Sequence, residues 1–216
     1  MKSVKKFKDT WLSVLALIYS ITLILVLIDS YFASGAHFIE FFTYLSNIFC
    51  AIWLLIYALT GFFKANKFSI FIRNKILVLT LNMAITITFL IVALWLFPIW
   101  KGDWIKNGIS GGLFYTHFLT AVVMWLVFFY YQSTGKFNWK LNFFVLIYPL
   151  VYFVAIIVRQ LIVKDKWYPY NFVDPSFYNN NYFIFAAVVV VLAGVFYGVS
   201  YLLWVIKSKL NKKTVI

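Results

Sequence analysis

Residues 182–206 read YFIFAAVVVVLAGVFYGVSYLLWVI, 25 positions without a Lys, Arg, Asp or Glu. A helix needs about 20 mostly apolar residues to cross a hydrocarbon core of about 30 Å. Five further stretches, 11–28, 41–63, 76–100, 113–131 and 141–158, lack those four residue types as well. The 216-residue chain is 64% hydrophobic and 12% charged, with a mean hydropathy of +0.92. A soluble domain carries about 25% charged residues. The sequence therefore predicts an all-α polytopic membrane protein: one domain, residues 1–216, built as a six-transmembrane-helix bundle. The predicted spans are about 11–32, 41–63, 76–100, 113–131, 141–161 and 182–206. Transmembrane β-barrel strands alternate apolar and polar residues. Residues 11–28 and 186–195 are apolar on all sides, which makes that class a poor alternative.

The net charge of +13 suggests a nucleic-acid binder until the charges are sorted by the gaps between spans. Alternate gaps from the N-terminus hold fourteen basic residues against one acid, Asp9. The other gaps hold Lys101, Lys106, Arg159, Lys164 and Lys166 against Asp29, Glu40, Asp103, Asp165 and Asp174. The whole excess thus belongs to one side, which the positive-inside rule makes cytoplasmic. Both termini are expected there, in the cell membrane, with the basic tails against anionic headgroups. Nucleic acid is not expected as a partner. Lysines, an apolar run and Ala33-Ser34-Gly35-Ala36 imitate a secretory signal, but the run of 18 residues exceeds the usual h-region of about 7–15. It is read as a retained first helix. The single cysteine, Cys50, rules out an internal disulfide.

The outer loops are short except for residues 161–181, which contain KDKWYPYNFVDPSFYNNN. Trp and Tyr favour the membrane interface, so this loop, with Trp167 and Tyr168, and the neighbouring Trp100 and Trp104 are expected at the outer headgroups. Gly194 and Gly198 form a GxxxG spacing that permits close helix approach. Packing inside the bundle is the expected use, and a homodimer through that face is the alternative. No internal repeat suggests an inverted-repeat transporter.

Polar residues inside spans usually face the bundle interior. Thr43, Ser46, Asn47 and Cys50 share one face of the second span by spacing. Asn82 and Thr86 share a face of the third. His117 is the one titratable histidine within a span, five residues into the fourth. At 1.5 Å per residue, Thr43 and His117 both lie within about 8 Å of the outer helix ends. A polar packing seam and a functional site both remain open on spacing alone. His37 and Glu40 read as a solvated outer-loop pair, and Asp29 and Arg159 as snorkelling interface residues. Arg159 also has the planar fork that suits a carboxylate or phosphate. Two histidines and one cysteine without a clustered motif give no metal site, and no cofactor is expected.

These residues resemble the androgen-induced-gene-like family of small multi-span membrane proteins and its bacterial relatives. Residues 41–55, FFTYLSNIFCAIWLL, are similar to that family's Phe-Thr-x-x-Ser-Asn opening of the second span. His117 in FYTHFLTAVV and the loop WYPYNFVDP, residues 167–175, complete the match. Animal members are threonine hydrolases of fatty acid esters of hydroxy fatty acids. The resemblance implies Thr43 as nucleophile and His117 as general base on a lipid ester near the outer leaflet. Supporting roles then fall to Asn47, Ser46, Asn82, Arg159, Tyr168 and Asp29, with Asn47, Asn82 and Tyr168 the candidate oxyanion donors. The chain departs from its bacterial relatives at Ala121 and Val127, where a proline and an acid are expected. No carboxylate on its own helix would orient His117, which leaves Asp29 or Asp174. The alternative is a non-catalytic lipid or small-molecule binder or carrier using the same pocket, with membrane lipids as its partners. A purely structural role rests on the glycine face alone.

Overall fold

The computed structural model describes residues 2–63, 72, 74–96, 111–130, 139–165 and 167–213. Among them every regular element is helical. Helix α1 is Lys2–Ser34, and a 3-10 turn, Gly35–Glu40, leads into α2, Phe42–Phe63. Helix α3, Lys75–Ile91, continues into a π-helical stretch, Val92–Leu96. A second π-helical stretch, Phe114–Leu119, opens α4, Thr120–Tyr130. A 3-10 segment, Trp139–Leu146, precedes α5, Ile147–Val163. Two 3-10 turns, Asn171–Val173 and Pro175–Tyr178, lead to α6, Tyr182–Lys213. Five helices are long and apolar enough to cross a membrane, and Phe114–Tyr130 is a shorter apolar helix. Residues 97–110, with the Trp100 and Trp104 expected at the outer headgroups, and the basic residues Lys64, Lys67, Arg73 and Lys136 lie outside the described residues.

Local chemistry sets the helix ends. Asn74 caps α3, its Oδ1 accepting from the N–H groups of Ile76 at 3.0 Å and Leu77 at 3.3 Å, two donors that have no partner within the helix. Pro149, in the first turn of α5, has no N–H to give the carbonyl of residue 145, a loss that is tolerated only near a helix start. The 3-10 geometry of Trp139–Leu146 lies on that side. Lys164 ends α5 in the left-handed region at φ 57° and donates its N–H to the Gln160 carbonyl.

Helix α3 is the centre of the bundle. Val78, Leu79 and all eight residues from 81 to 88 are buried, and α2, α4, α6 and the 3-10 segment before α5 surround it. A helix apolar and buried all round belongs inside a bundle. Helix α6 is the opposite case. Only 6% of its most apolar window is buried, and Phe183 is 91% exposed. Apolar area of that extent is what a lipid-facing helix presents.

Close approach occurs where the sequence did not advertise it. A Cβ on Gly61 would lie 2.0 Å from Ser13 Oγ, so α1 and α2 touch backbone to side chain there. A Cβ on Gly194 or Gly198 would meet nothing within 4 Å. The expected packing of GxxxG inside the bundle is therefore corrected: α6 turns both glycines away from its neighbours, because its few buried positions, Ser200, Leu203 and Lys207, lie elsewhere on its surface. Polar bonds also join the helices. Trp125 Nε1 donates to Thr86 Oγ1 at 2.8 Å, and Ser200 Oγ donates to Asn142 Oδ1 at 2.8 Å. Lys207, one of the basic residues counted toward the cytoplasmic side, is buried and donates its Nζ to the Phe128 carbonyl near the end of α4. A cation at a helix C-terminus meets carbonyls that have no partner within the helix.

Candidate functional site

The polar face of α2 divides between two neighbours. Ser46 Oγ bonds the Tyr148 hydroxyl at 2.9 Å on the α5 side. Asn47, fully buried, turns toward α4. Its Nδ2 donates to the Thr43 carbonyl at 2.8 Å and to the Thr116 carbonyl at 2.8 Å. Its Oδ1 accepts from Thr120 Oγ1 at 2.7 Å. Two carbonyls on one nitrogen fix the amide's orientation. Tyr19 of α1 completes the cluster, its hydroxyl 2.7 Å from Thr120 Oγ1 and 3.1 Å from the Tyr115 carbonyl. One asparagine thus ties the residue at the start of α2 to the residue just before His117. Tyr19, Thr116 and Thr120 were not singled out from the sequence; the signal present was the i, i+4 pairing of Thr116 and Thr120 around His117.

His117 sits in the π-helical stretch, where the Thr120 N–H pairs with the Tyr115 carbonyl five residues back. Such bulges recur at functional sites because they re-aim side chains within a helix. The imidazole is buried, with Nδ1 3.0 Å from Thr116 Oγ1 and 3.3 Å from the Leu113 carbonyl. Thr116 Oγ1 donates its own proton to the Gly112 carbonyl at 2.8 Å. A neutral ring must then carry its proton on Nδ1, since both neighbours there can only accept. Nε2 then carries the lone pair, with no hydrogen-bond partner among the described residues.

The orienting group is therefore a backbone carbonyl, which corrects the expectation of a carboxylate. Asp29 is exposed on α1. Asp174 is committed to the turn that follows it, accepting from Ser176 N at 2.8 Å and Ser176 Oγ at 2.6 Å. Asn82 is fully buried but bonds only within its own helix, Nδ2 to the Val78 carbonyl at 2.8 Å. Its Oδ1 has no partner among the described residues.

Thr43 is half-buried. Its backbone N–H reaches the Tyr170 hydroxyl at 3.5 Å, and its side chain lies against the same oxygen. No hydrogen bond joins Thr43 to His117 among the described residues. Burial pushes the Tyr170 hydroxyl above the ordinary phenol range, and the contacts with Thr43 oppose that shift. Tyr170, rather than the expected Tyr168, is the loop residue over the start of α2. Tyr168 packs with Phe42, Tyr152 and Val173, and burial raises its hydroxyl as well.

Arg159 is not a free clamp. Its Nε lies 3.1 Å from Glu40 Oε2, and its Nη1 bonds Asp165 Oδ1. The guanidinium and the Trp167 N–H hold the Asp165 carboxyl down at about 2. The expected His37–Glu40 pair is present at 3.4 Å, but Arg159 joins it and the His37 ring stacks on Trp167 at 3.9 Å. The guanidinium carbon also stands 5.6 Å from the Trp167 ring centre.

No family model matches this chain, and neither the curated proteins nor the solved structures contain a match to it.

Proposed function

We propose that this protein is an intramembrane hydrolase of a lipid ester, with Thr43 as nucleophile and His117 as general base near the outer leaflet. Six spans with both termini cytoplasmic are part of the same reading, and the resemblance in residues 41–55 and around His117 motivates it. The observation that supports it best is Asn47, whose single Nδ2 bonds the Thr43 and Thr116 carbonyls at 2.8 Å each. That bond brings the starts of two helices to one depth and next to one another. The lone pair on His117 Nε2 supplies the base.

The chemistry balances with these residues. Nε2 takes the Thr43 hydroxyl proton as Oγ1 attacks the ester carbonyl carbon. The same proton passes to the departing alkoxide, which leaves as the alcohol. Water then attacks the acyl-threonine and gives a proton to Nε2, which passes it to the departing Thr43 Oγ1 as the acid is released. Contact between Oγ1 and Nε2 has to form on substrate binding, as catalytic hydrogen bonds often tighten only then. The reacting end would lie at the headgroup boundary with its chains still in lipid. Thr43→Ala in purified protein should abolish hydrolysis of a fluorogenic fatty ester and the adduct with a fluorophosphonate probe. Full activity in that variant would end the assignment.

A second reading, lipid binding without chemistry, draws on a wholly apolar groove of about 480 Å³ between α1 and the outer half of α2, lined by residues including Leu27, Tyr31, Phe38, Ile48 and Ile52. An acyl chain is the ligand that such walls suit. Lipid co-purifying with Thr43→Ala and wild type alike, with no turnover in either, would favour it.

A further inference from the structure

Residues 167–173 cross the outer end of α2 and are held at both ends. At one end the Trp167 ring lies beside His37, Phe41 and the Arg159 guanidinium, with ring centres 3.9 Å from His37 and 5.7 Å from Phe41. Arg159 is itself gripped by Glu40 and Asp165, and Asp165 Oδ1 accepts the Trp167 N–H at 3.0 Å. At the other end Val173 is buried among Phe42, Tyr152 and Ile156. Between the two, the Tyr170 ring meets Phe41 edge-on at 5.9 Å and stacks on Phe172 at 5.1 Å. Its hydroxyl oxygen accepts from the Thr43 N–H.

That oxygen stands at a telling place. The first N–H groups of a helix have no partner within it. An ester attacked by Thr43 Oγ1 brings its carbonyl oxygen to the same end of α2, and would need a donor there. Tyr170 occupies such a donor with an oxygen of its own.

We propose that Tyr170 is a self-blocking plug over Thr43, and that the Arg159–Glu40–Asp165 cluster, with Trp167, is the latch that keeps it seated. The structure is then the closed state, and substrate entry requires residues 167–173 to lift. This rests on Thr43 being the residue that substrate must reach, but its test reads access alone and not hydrolysis.

The test is alkylation of a Thr43→Cys variant in lipid nanodiscs with N-ethylmaleimide, followed peptide by peptide by mass spectrometry. Native Cys50 is fully buried and reports unfolding within the same molecule. Adding Tyr170→Ala, which removes the ring over residue 43, or Arg159→Gln, which removes a charged hydrogen bond from the latch, should each raise the labelling rate at residue 43 by about tenfold. Cys50 should stay unlabelled. Asp165 is exposed and outside the helices, so Asp165→Asn provides the same measurement where Arg159→Gln unfolds the protein. Unchanged rates at residue 43 with Cys50 still protected would overturn the plug. Thr43→Ala retaining ester hydrolysis would overturn the hydrolase reading instead, so the two failures are told apart.

Discussion

Asn47 and Asn82 are both fully buried in this bundle, and they should respond differently to the same substitution. Leucine shares asparagine's branched heavy-atom skeleton, is bulkier, and has no hydrogen-bonding group, so Asn→Leu adds the same bulk at both sites and removes their polar bonds. At Asn47 two bonds cross between helices, Nδ2 to the Thr116 carbonyl at 2.8 Å and Thr120 Oγ1 to Oδ1 at 2.7 Å. Interhelical hydrogen bonds in a bilayer are worth about 0.6 kcal/mol on average and up to about 1.7. The pair therefore predicts a loss of about 1–3 kcal/mol for Asn47→Leu. Thr120 keeps Tyr19 and the Tyr115 carbonyl as partners, so the cost comes from the lost bonds and not from an orphaned hydroxyl.

At Asn82 the one side-chain bond among the described residues runs to Val78 within α3, and Oδ1 has no partner among them. Burying an unpaired polar atom costs about 1–3 kcal/mol. Asn82→Leu removes that cost along with the bond and should be the milder of the two changes by about 1–3 kcal/mol. Chemical unfolding of both variants in mixed micelles, followed by tryptophan fluorescence, measures the difference. Asn82→Leu losing as much stability as Asn47→Leu would refute the reasoning, because partners rather than burial are what separate the two. Under the hydrolase reading, Asn47→Leu should also slow turnover at temperatures where the protein is fully folded.

Gly61→Leu places atoms where Ser13 already stands and should cost about 1–3 kcal/mol by overpacking; Gly194→Leu, with open space around it, should leave the unfolding midpoint of the monomer unchanged. Lys207→Met removes the charged donor from the Phe128 carbonyl and should destabilise the protein by about 1.5–3 kcal/mol in the same titration. Asp165 has its carboxyl held at about 2 in the folded chain against about 3.9 unfolded, so its contribution is fully present above the higher value and is lost as pH falls through the lower. Labelling of residue 43 in the Thr43→Cys protein should therefore stay flat from pH 8 to pH 5 once corrected for thiolate fraction; a break at neutral pH would point to a latch governed by a group other than Asp165.

Much of the fold was legible in the chain because a bilayer imposes a simple rule: long uncharged runs become helices, since every backbone group must be paired inside lipid. Five of the six runs appear as helices long enough to span, and the fourth as the shorter Phe114–Tyr130. The polar face of α2 was legible for the same kind of reason, by spacing. Tyr170 was not. It lies 127 residues from Thr43 along the chain, in a loop rich in tyrosines, and nothing local distinguishes it from Tyr168. Arg159 read as a snorkelling interface residue because its partners, Glu40 and Asp165, come from different loops. Gly61 was overshadowed by the paired glycines of α6, since a spacing motif says that approach is permitted and not where a neighbour stands.

The sequence by itself determined an all-helical chain with several membrane-compatible segments, and an uneven division of charge between the gaps. Composition and periodicity suffice for that, because hydrophobic transfer depends on each segment alone. Tertiary structure decided what the polar residues do. Asn47 and Asn82 are chemically identical and similarly buried, yet one bridges two helices and the other bonds only its own, because partners are set by which helix face meets which. It also decided that Tyr170 covers Thr43 and that α6 carries its glycines outward. Those outcomes depend on distances between segments remote in sequence, and no pattern within a segment encodes them.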